Sequence, residues 1–187
     1  MTGLRPGCWR PEDLYMHETP ATARLRHAVR AVILADDDRV LLCRFSFPHP
    51  AVPASATGVW AAPGGGIEPG ELPLAALRRE LREETGLVID AGPPHVWHQE
   101  LAAPARADGY DRAVNDYFLV RTARFDPRGA LPDDQLAAEH ITGMRWWRHR
   151  DIAGYSGTDL FSPRDIATPL AALIAGHIPG TPVMLGL

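Results

Sequence analysis

The residues best suited to chemistry are three glutamates in one short segment, Glu80, Glu83 and Glu84. On a helix, their spacing of i, i+3 and i+4 places all three carboxylates on one face. Like charges held side by side destabilise a helix unless a positive charge lies among them. Hard divalent cations such as Mg²⁺ prefer carboxylate oxygens as ligands. The spacing therefore predicts a helix that holds a divalent metal ion.

These glutamates belong to a longer pattern, which opens with a glycine turn and an isolated acidic residue. The segment resembles the Nudix box, G-x5-E-x7-R-E-U-x-E-E-x-G-U, in which U is an aliphatic residue. A solvated helix rich in arginine and glutamate would explain the local R-E-L-R-E-E string but not the full spacing. Every fixed position is filled in order and without a gap, by Gly65, Glu71, Arg79, Glu80, Leu81, Glu83, Glu84, Gly86 and Leu87.

The resemblance implies a hydrolase that cleaves a nucleoside diphosphate linked to another moiety, with water attacking phosphorus. It also implies Mg²⁺ as the cofactor, with Mn²⁺ as a substitute. Physical chemistry agrees, because divalent ions bridge a negatively charged pyrophosphate to a glutamate-rich helix and lower the pKa of bound water. Phosphoryl transfer needs mainly positioning and neutralisation of charge, which a carboxylate cage with metal ions supplies.

The matching of positions assigns roles to the residues of the box. Glu80, Glu83 and Glu84 are expected to bind the metal, and Glu83 or Glu84 could also hold the attacking water. The backbone carbonyl of Gly65 is a further expected metal ligand, since glycine permits close approach.

Three other residues complete the expected site. Arg79 is expected to pair with a carboxylate such as Glu71 or Glu83 and so fix its rotamer. Arg44, together with Gly64 and Gly65, is expected to contact the substrate. A surface i, i+4 ion pair with Glu83 is the alternative interpretation for Arg79, and a surface arginine without a role is the alternative for Arg44.

The general base is expected to lie outside the box. The best candidate is Glu139, because it lies in the predicted loop PDDQLAAEHITG, before the predicted strand MRWWR, and could face the helix across a cleft. Glu100 and Asp116 are rival candidates. An exposed loop acid without a catalytic role is the alternative for Glu139.

Histidine and aromatic residues give weaker indications. His95 and His98 are separated by two residues in a predicted strand, a spacing that should place them on opposite faces, and no further ligands are evident, so no zinc site is predicted there. Several aromatic residues could stack on a nucleobase, but most of them are expected to form core: Trp60, Trp97, Trp146, Trp147 and Tyr117.

Composition narrows the class of protein. The chain has 187 residues, 45% of them hydrophobic, and a formal net charge of -4, which disfavours nucleic acid as a partner. Cys8 and Cys43 form no paired motif, and a reducing cytoplasm fits them. The N-terminus lacks the apolar region of a signal peptide, and no stretch is long enough to span a membrane.

The pattern of elements predicts an α/β fold. Two buried strands flank the turn at residues 36–38, a short strand precedes the box, and a helix follows Glu71 with Leu74, Leu77 and Leu81 as its apolar stripe. Further strands are predicted at 95–101, 116–125 and 144–148, with a final helix at 164–176. This order favours one domain at 26–187, and the resemblance implies an α/β/α sandwich with a mixed β-sheet over roughly residues 27–155. Residues 1–25 are predicted to be an extension that packs on the domain or crosses to a partner in a homodimer.

The substrate is left open by the sequence. Pro104 lies one position away from a proline typical of ADP-ribose hydrolases of this family, and Tyr110 does not match the tyrosine of dinucleoside polyphosphate hydrolases. The NADH-type motif is absent. The proline-rich loop at 47–58 is predicted to rim the pocket.

The alternative function is a non-catalytic Nudix-fold module that binds a nucleotide or has a regulatory role. A third possibility, an isomerase-like reaction on the same fold, would require a cysteine motif that Cys8 and Cys43 do not provide.

Overall fold

We analysed a computed structural model of the protein, which describes residues 24–46, 53–102 and 110–186. Residues 1–23 of the predicted extension, Pro104 and the first half of the proline-rich loop lie outside these residues. The described residues form eight strands and four helices. The strands are β1 (Leu25–Ala35), β2 (Arg39–Phe45), β3 (Val59–Ala61), β4 (His95–Ala102), β5 (Arg112–Thr122), β6 (Ile141–Arg148), β7 (Leu160–Ser162) and β8 (Val183–Leu185); the helices are α1 (Pro73–Glu80), α2 (Asp133–Ala138), α3 (His149–Ala153) and α4 (Ala167–Ile174).

One mixed sheet contains all of these strands, in the order β7-β3-β2-β1-β5-β4-β8, with β6 paired to β2 outside that path. The first two strands form the predicted antiparallel hairpin. Strand β1 then pairs in parallel with β5 along its whole length, from Leu25 opposite Arg112 to Ala35 opposite Thr122. This long pairing places β1 near the middle of the sheet, which explains why residues 31–35 are continuously apolar and buried.

Both faces of the sheet are covered. Val32 and Leu34 of β1 pack into one core layer, which includes Leu170 and Leu173 of α4. The intervening Ile33 packs into the other layer, with Val29, Ala31, Ala76, Leu77, Leu81, Leu41 and Val120. Alternate residues of a strand point to opposite faces, so helices on both sides bury β1. The predicted α/β/α sandwich with a mixed sheet is confirmed.

Helix α1 follows the glycine turn as predicted. Leu72 is the extended residue before the helix, and Pro73 occupies the first turn, where its missing N–H costs no hydrogen bond. After Glu80 the helix continues as one π-helical turn, Leu81–Thr85. Gly86 ends it in the left-handed conformation, with φ 77°, which favours glycine.

Several boundaries differ from the predictions. Strand β5 begins at Arg112, before the predicted start, and β6 begins at Ile141 because it pairs with β2 as far as Phe45. The final helix is shorter than predicted, at Ala167–Ile174. The short elements β7, β8, α2 and α3 were not predicted. Within the part of the chain that the structure describes, no helix is both long enough and apolar enough to cross a membrane.

Candidate functional site

Three carboxylates converge beside the helix of the box. Glu80 and Glu84, both buried, and Glu139, which is exposed, each offer an oxygen, and these three atoms all lie within 4.8 Å of one another. We call these three residues the acidic cluster. Burial raises the pKa of Glu80, and it raises that of Glu84 to about 8; the neighbouring Glu139 raises both pKa values further. A cation among the three oxygens would relieve these unfavourable charges.

A backbone hydrogen bond orients the deepest carboxylate. The N–H of Gly64 donates to Oε2 of Glu84 over 2.7 Å. Gly64 has a φ of 126°, and an added Cβ would lie only 2.2 Å from the carbonyl oxygen of Val29. Only glycine fits this conformation and this close approach, so its position in the turn directly determines where Glu84 points.

Arg79 connects the remaining glutamates of the box. Its Nε and Nη2 donate to the two oxygens of Glu71 over 3.0 and 2.9 Å, while Nη1 donates to Glu80 over 2.8 Å and to Glu83 over 3.3 Å. Nη2 also donates to the carbonyl of Gly66. The predicted pairing of Arg79 with Glu71 and Glu83 is therefore present. Glu83 is drawn toward Arg79 and is not part of the acidic cluster, so its roles as a metal ligand and in holding water stay predictions.

The structure adds a cation that the sequence interpretation missed. Arg30 of β1 is half-buried, and its Nη1 donates to the carbonyls of Ala62 and Gly64. Its positive charge opposes the raised pKa values of both Glu80 and Glu84. The available indication was that Arg30 is flanked by buried apolar residues of β1, because a charge in such a place requires a polar partner inside the fold.

A loop packed against the end of the box helix extends the site. The N–H groups of Arg128, Ala130 and Leu131 donate to the carbonyls of Thr85, Arg82 and Glu83, which the helix end leaves without helical partners. Gly129 makes this contact possible, since a Cβ there would lie 1.8 Å from the Glu83 carbonyl oxygen. No sequence pattern indicated this role for Gly129.

Glu139 reaches the acidic cluster through the helix that follows this loop. It forms the C-terminal cap of α2, and its N–H donates to the carbonyl of Gln135. His140 then turns the chain with a φ of 64°, and its carbonyl accepts a hydrogen bond from Ser46 at the end of β2. The location of Glu139 opposite the box helix agrees with the prediction, while its role as general base remains a prediction.

The predicted substrate contacts have other partners in the structure. Arg44 donates from Nε and Nη2 to the two oxygens of Asp159, each over 2.8 Å, and the carbonyl of Gly65 accepts from the N–H of Val29 over 2.9 Å. The Gly64 N–H is used by Glu84. Contact of these residues with substrate or metal therefore stays a prediction.

The rival acids lie in a different group of side chains. Asp116 contacts both His95 and His98, and Glu100 pairs with Arg112. The expectation that the two histidines lie on opposite faces of β4 was wrong, because a β-bulge between His95 and Trp97 shifts the register. Among the aromatic candidates, Trp60, Trp97, Trp147 and Tyr117 are buried in the core, as expected, and Trp146 packs against Phe125.

A cavity of about 780 Å³ opens beside the acidic cluster. Its wall includes Glu84, the loop at 126–131, part of α2 and the start of β6. This volume is in the range of small-molecule sites. The arrangement can hold a cation at one end and a small organic ligand next to it.

Comparison with known proteins agrees with this geometry. The NUDIX domain family model matches residues 24–165. The chain is 30% identical to the nucleoside triphosphatase NudI of Escherichia fergusonii over 125 residues, which are 66% of this chain and 82% of the relative. It is 33% identical to NudI of Escherichia coli O1:K1 over the same shares of both chains.

Solved structures show the same fold. A MutT protein from Methanosarcina mazei superposes with a TM-score of 0.58 at 18% identity, over 83% of this chain and 96% of that one. A NUDIX hydrolase from Nitrosomonas europaea gives a TM-score of 0.56 at 22% identity, over 83% and 92% of the two chains. The chain belongs to the Nudix family. It is a hydrolase that acts on phosphoanhydride bonds.

Proposed function

We propose that the protein hydrolyses a small nucleoside triphosphate, or another nucleoside diphosphate derivative such as ADP-ribose, with Mg²⁺ at the acidic cluster. The observation that carries the proposal is the convergence of Glu139 on the buried Glu80 and Glu84. The relatives named nucleoside triphosphatase favour the triphosphate among these substrates.

The acidic cluster suits Mg²⁺ or Mn²⁺. All three donors are carboxylate oxygens, which these hard cations prefer. Burial raises the pKa values of Glu80 and Glu84, so their ionised forms need a positive partner beyond Arg79 and Arg30. Glu80, Glu84 and Glu139 would hold the ion. Glu83 would join them only by giving up its 3.3 Å contact with Arg79.

The residues of the chain then have separate tasks. A bound divalent ion supplies neutralisation of phosphate charge and a lower pKa for water. Glu139 is the exposed member of the cluster, so we assign to it the acceptance of the proton from the attacking water. Arg79 and the Gly64 N–H keep Glu80 and Glu84 in place. Arg30 supplies positive charge next to the glycine turn, where its Nη1 donates to the carbonyl of Gly64.

Charge and cavity size favour a small substrate over capped RNA. The net charge is -4 and lysine is absent, while Arg44 and Arg79 are engaged in ion pairs within the protein. A long polyanion would gain little from counterion release on such a surface. The cavity of about 780 Å³ accommodates a nucleotide-sized ligand.

A substrate panel tests the proposal. Nucleoside triphosphates, ADP-ribose, a nucleotide sugar and capped RNA are incubated with Mg²⁺, and released phosphate is measured with and without a phosphatase or a pyrophosphatase. We expect turnover of at least one small nucleotide, and loss of turnover in excess chelator or in Glu80→Gln.

Calorimetric binding of the same nucleotides separates an enzyme from a binding module. Tight binding without turnover of any compound would favour the non-catalytic module. Full activity in chelator would reject the metal mechanism, and capped RNA as the best substrate would reject the choice of substrate class.

A further inference from the structure

Two histidines and an aspartate form a second group of metal-ligand side chains, away from the acidic cluster. Nε2 of His95 lies 3.1 Å from Oδ1 of Asp116, and Nδ1 of His98 lies 2.7 Å from the same oxygen. The three ligand atoms all lie within 4.8 Å of one another. We call these residues the histidine cluster.

A β-bulge in β4 creates this cluster. His95 is opposite Phe118, but Trp97 is opposite Tyr117, so β4 contains one extra residue here. As a result, the consecutive residues Val96 and Trp97 are both buried in the same core layer. His95 and His98 therefore both point to the opposite face of the sheet, where Asp116 lies directly across from His98.

Neighbouring groups fix the orientation of both imidazoles. The ring of His95 stacks on Phe118 with 4.9 Å between centroids, and its Nε2 lies 3.0 Å from the carbonyl oxygen of Trp97, a contact that a bound ion would replace. On His98, Nδ1 faces Asp116 while Nε2 lies 3.6 Å from Oε1 of Glu100. Histidines that bind metals usually direct the second ring nitrogen to a carboxylate or a carbonyl in this way, which fixes the tautomer.

We propose that the histidine cluster binds a transition-metal ion of the Zn²⁺ type. Two imidazole nitrogens and one carboxylate oxygen are ligands that Zn²⁺ accepts in tetrahedral sites with a water in the fourth position. Zn²⁺ bonds of about 2.0–2.1 Å place tetrahedral ligands about 3.3 Å apart, so the contacts of His95 and His98 with Asp116, at 3.1 and 2.7 Å, would lengthen by about 0.2 and 0.6 Å. Exposed fractions of 33% for His95 and 25% for His98 leave a path for the ion.

The donor atoms separate this site from the acidic cluster. The acidic cluster offers carboxylate oxygens alone, whereas the histidine cluster offers nitrogen, which Mg²⁺ binds poorly. The ion in the histidine cluster would connect β4 to β5 across the bulge, where the regular ladder is interrupted. The two clusters share no residue.

Metal titrations of the full chain without an affinity tag test this inference. After treatment with EDTA and dialysis, the protein is titrated with Zn²⁺ in excess Mg²⁺, which occupies the acidic cluster, and binding is measured by calorimetry. Co²⁺ is used as an optical probe of imidazole ligation. We expect one equivalent of Zn²⁺ in the wild type. His98→Ala should bind more weakly by more than about 10–100-fold, the scale for loss of an outer partner alone.

Matched variants make the result decisive. His177→Ala removes an exposed histidine that is not in the cluster and should bind Zn²⁺ as the wild type does. Glu100→Gln should weaken binding by about 10–100-fold. His95→Ala serves in place of His98→Ala if circular dichroism shows that the latter is unfolded. If the wild type binds no Zn²⁺ in excess Mg²⁺, or if the His95, His98 and His177 variants bind equally, the contacts with Asp116 are ion pairs alone and the inference is wrong.

Discussion

Gly65 lies directly beneath the carboxylate of Glu80, so close that a Cβ on Gly65 would be 2.5 Å from Oε1. The contact involves the flexible end of a side chain and no backbone atom. At the neighbouring Gly64, by contrast, an added Cβ would lie 2.2 Å from a backbone atom, the carbonyl oxygen of Val29. Replacement of Gly65 is therefore expected to displace the Glu80 side chain, whereas replacement of Gly64 is expected to strain the backbone.

The change Gly65→Ala should weaken binding of Mg²⁺ while leaving the fold intact. The new methyl group pushes the Glu80 carboxylate out of the acidic cluster, and displacing a ligand in this way should cost about 10–100-fold in metal affinity. Calorimetric titration with Mg²⁺ and the Mg²⁺ dependence of turnover measure the effect.

Gly64→Ala is the matched control. It must place alanine at a φ of 126° against a fixed carbonyl, and strain of this kind costs about 1–3 kcal/mol or more in the free energy of unfolding. Unchanged Mg²⁺ affinity in Gly65→Ala would show that Glu80 does not bind the ion where we place it.

Replacing Glu139 by glutamine should reduce turnover by about 10²–10⁴-fold, the usual scale for loss of a catalytic acid or base. The side chain is exposed, so thermal unfolding should not change. Asp134→Asn removes an exposed acid of α2 outside the acidic cluster and should retain normal turnover. Equal activity of the two variants would remove Glu139 from the mechanism.

Asp159→Asn should destabilise the protein at neutral pH but not in strong acid. Arg44, Thr57 and Trp60 donate hydrogen bonds to Asp159, and the hydrogen bond from Arg44 is the largest of the effects that lower the pKa of this carboxyl to about 2. The stability that it contributes is complete above the ordinary pKa of 3.8 and disappears as pH falls through about 2.

Denaturant unfolding at several pH values measures this effect. At pH 7 the variant should lose about 1–3 kcal/mol in the free energy of unfolding, and the difference from wild type should shrink between about pH 4 and pH 2. Asp37→Asn, at an exposed ion pair, should change stability by less than about 0.5 kcal/mol. A difference that persists below pH 2 would contradict the assigned role of ionised Asp159.

Leu77→Ala should destabilise the fold by about 2–5 kcal/mol, since the side chain is fully buried between the box helix and β1. Affinity for Mg²⁺ in the folded protein should be retained, because Leu77 is not part of the acidic cluster. Leu72→Ala, at an exposed position before the same helix, should change stability by less than about 0.5 kcal/mol. A small effect at Leu77 would mean that the helix faces the sheet differently.

The parts of the fold that depend on nearby residues could be predicted. The β1–β2 hairpin, the helix after Glu71 and its end at Gly86 all follow from short-range periodicity and from residues that favour turns or helix ends. The pairing of Arg79 with Glu71 could also be predicted from the spacing of the box. Each of these features is determined within one segment of the chain.

The features that could not be predicted depend on contacts between distant segments. Arg30 reaches the glycine turn only because β1 lies beside it, and Gly129 matters only because its loop packs on the carbonyl of Glu83. The bulge that brings His95 and His98 together arises from pairing with β5. The sequence of a single strand predicts that its side chains alternate strictly between the two faces of the sheet. A β-bulge that breaks this alternation can be located only when the partner strand is known.

The parallel pairing of β1 with β5 has a consequence during protein synthesis. A ribosome releases β1 and the box helix long before it reaches Arg112, where the parallel partner begins. Until then, one edge of β1 remains unpaired, and Ile33 lacks its contacts with residues of β5 such as Val120. An unpaired strand edge with exposed apolar side chains favours association with other chains. The glutamates of the box thus emerge early on a helix whose supporting sheet is completed late, and contacts between segments so distant in sequence form slowly.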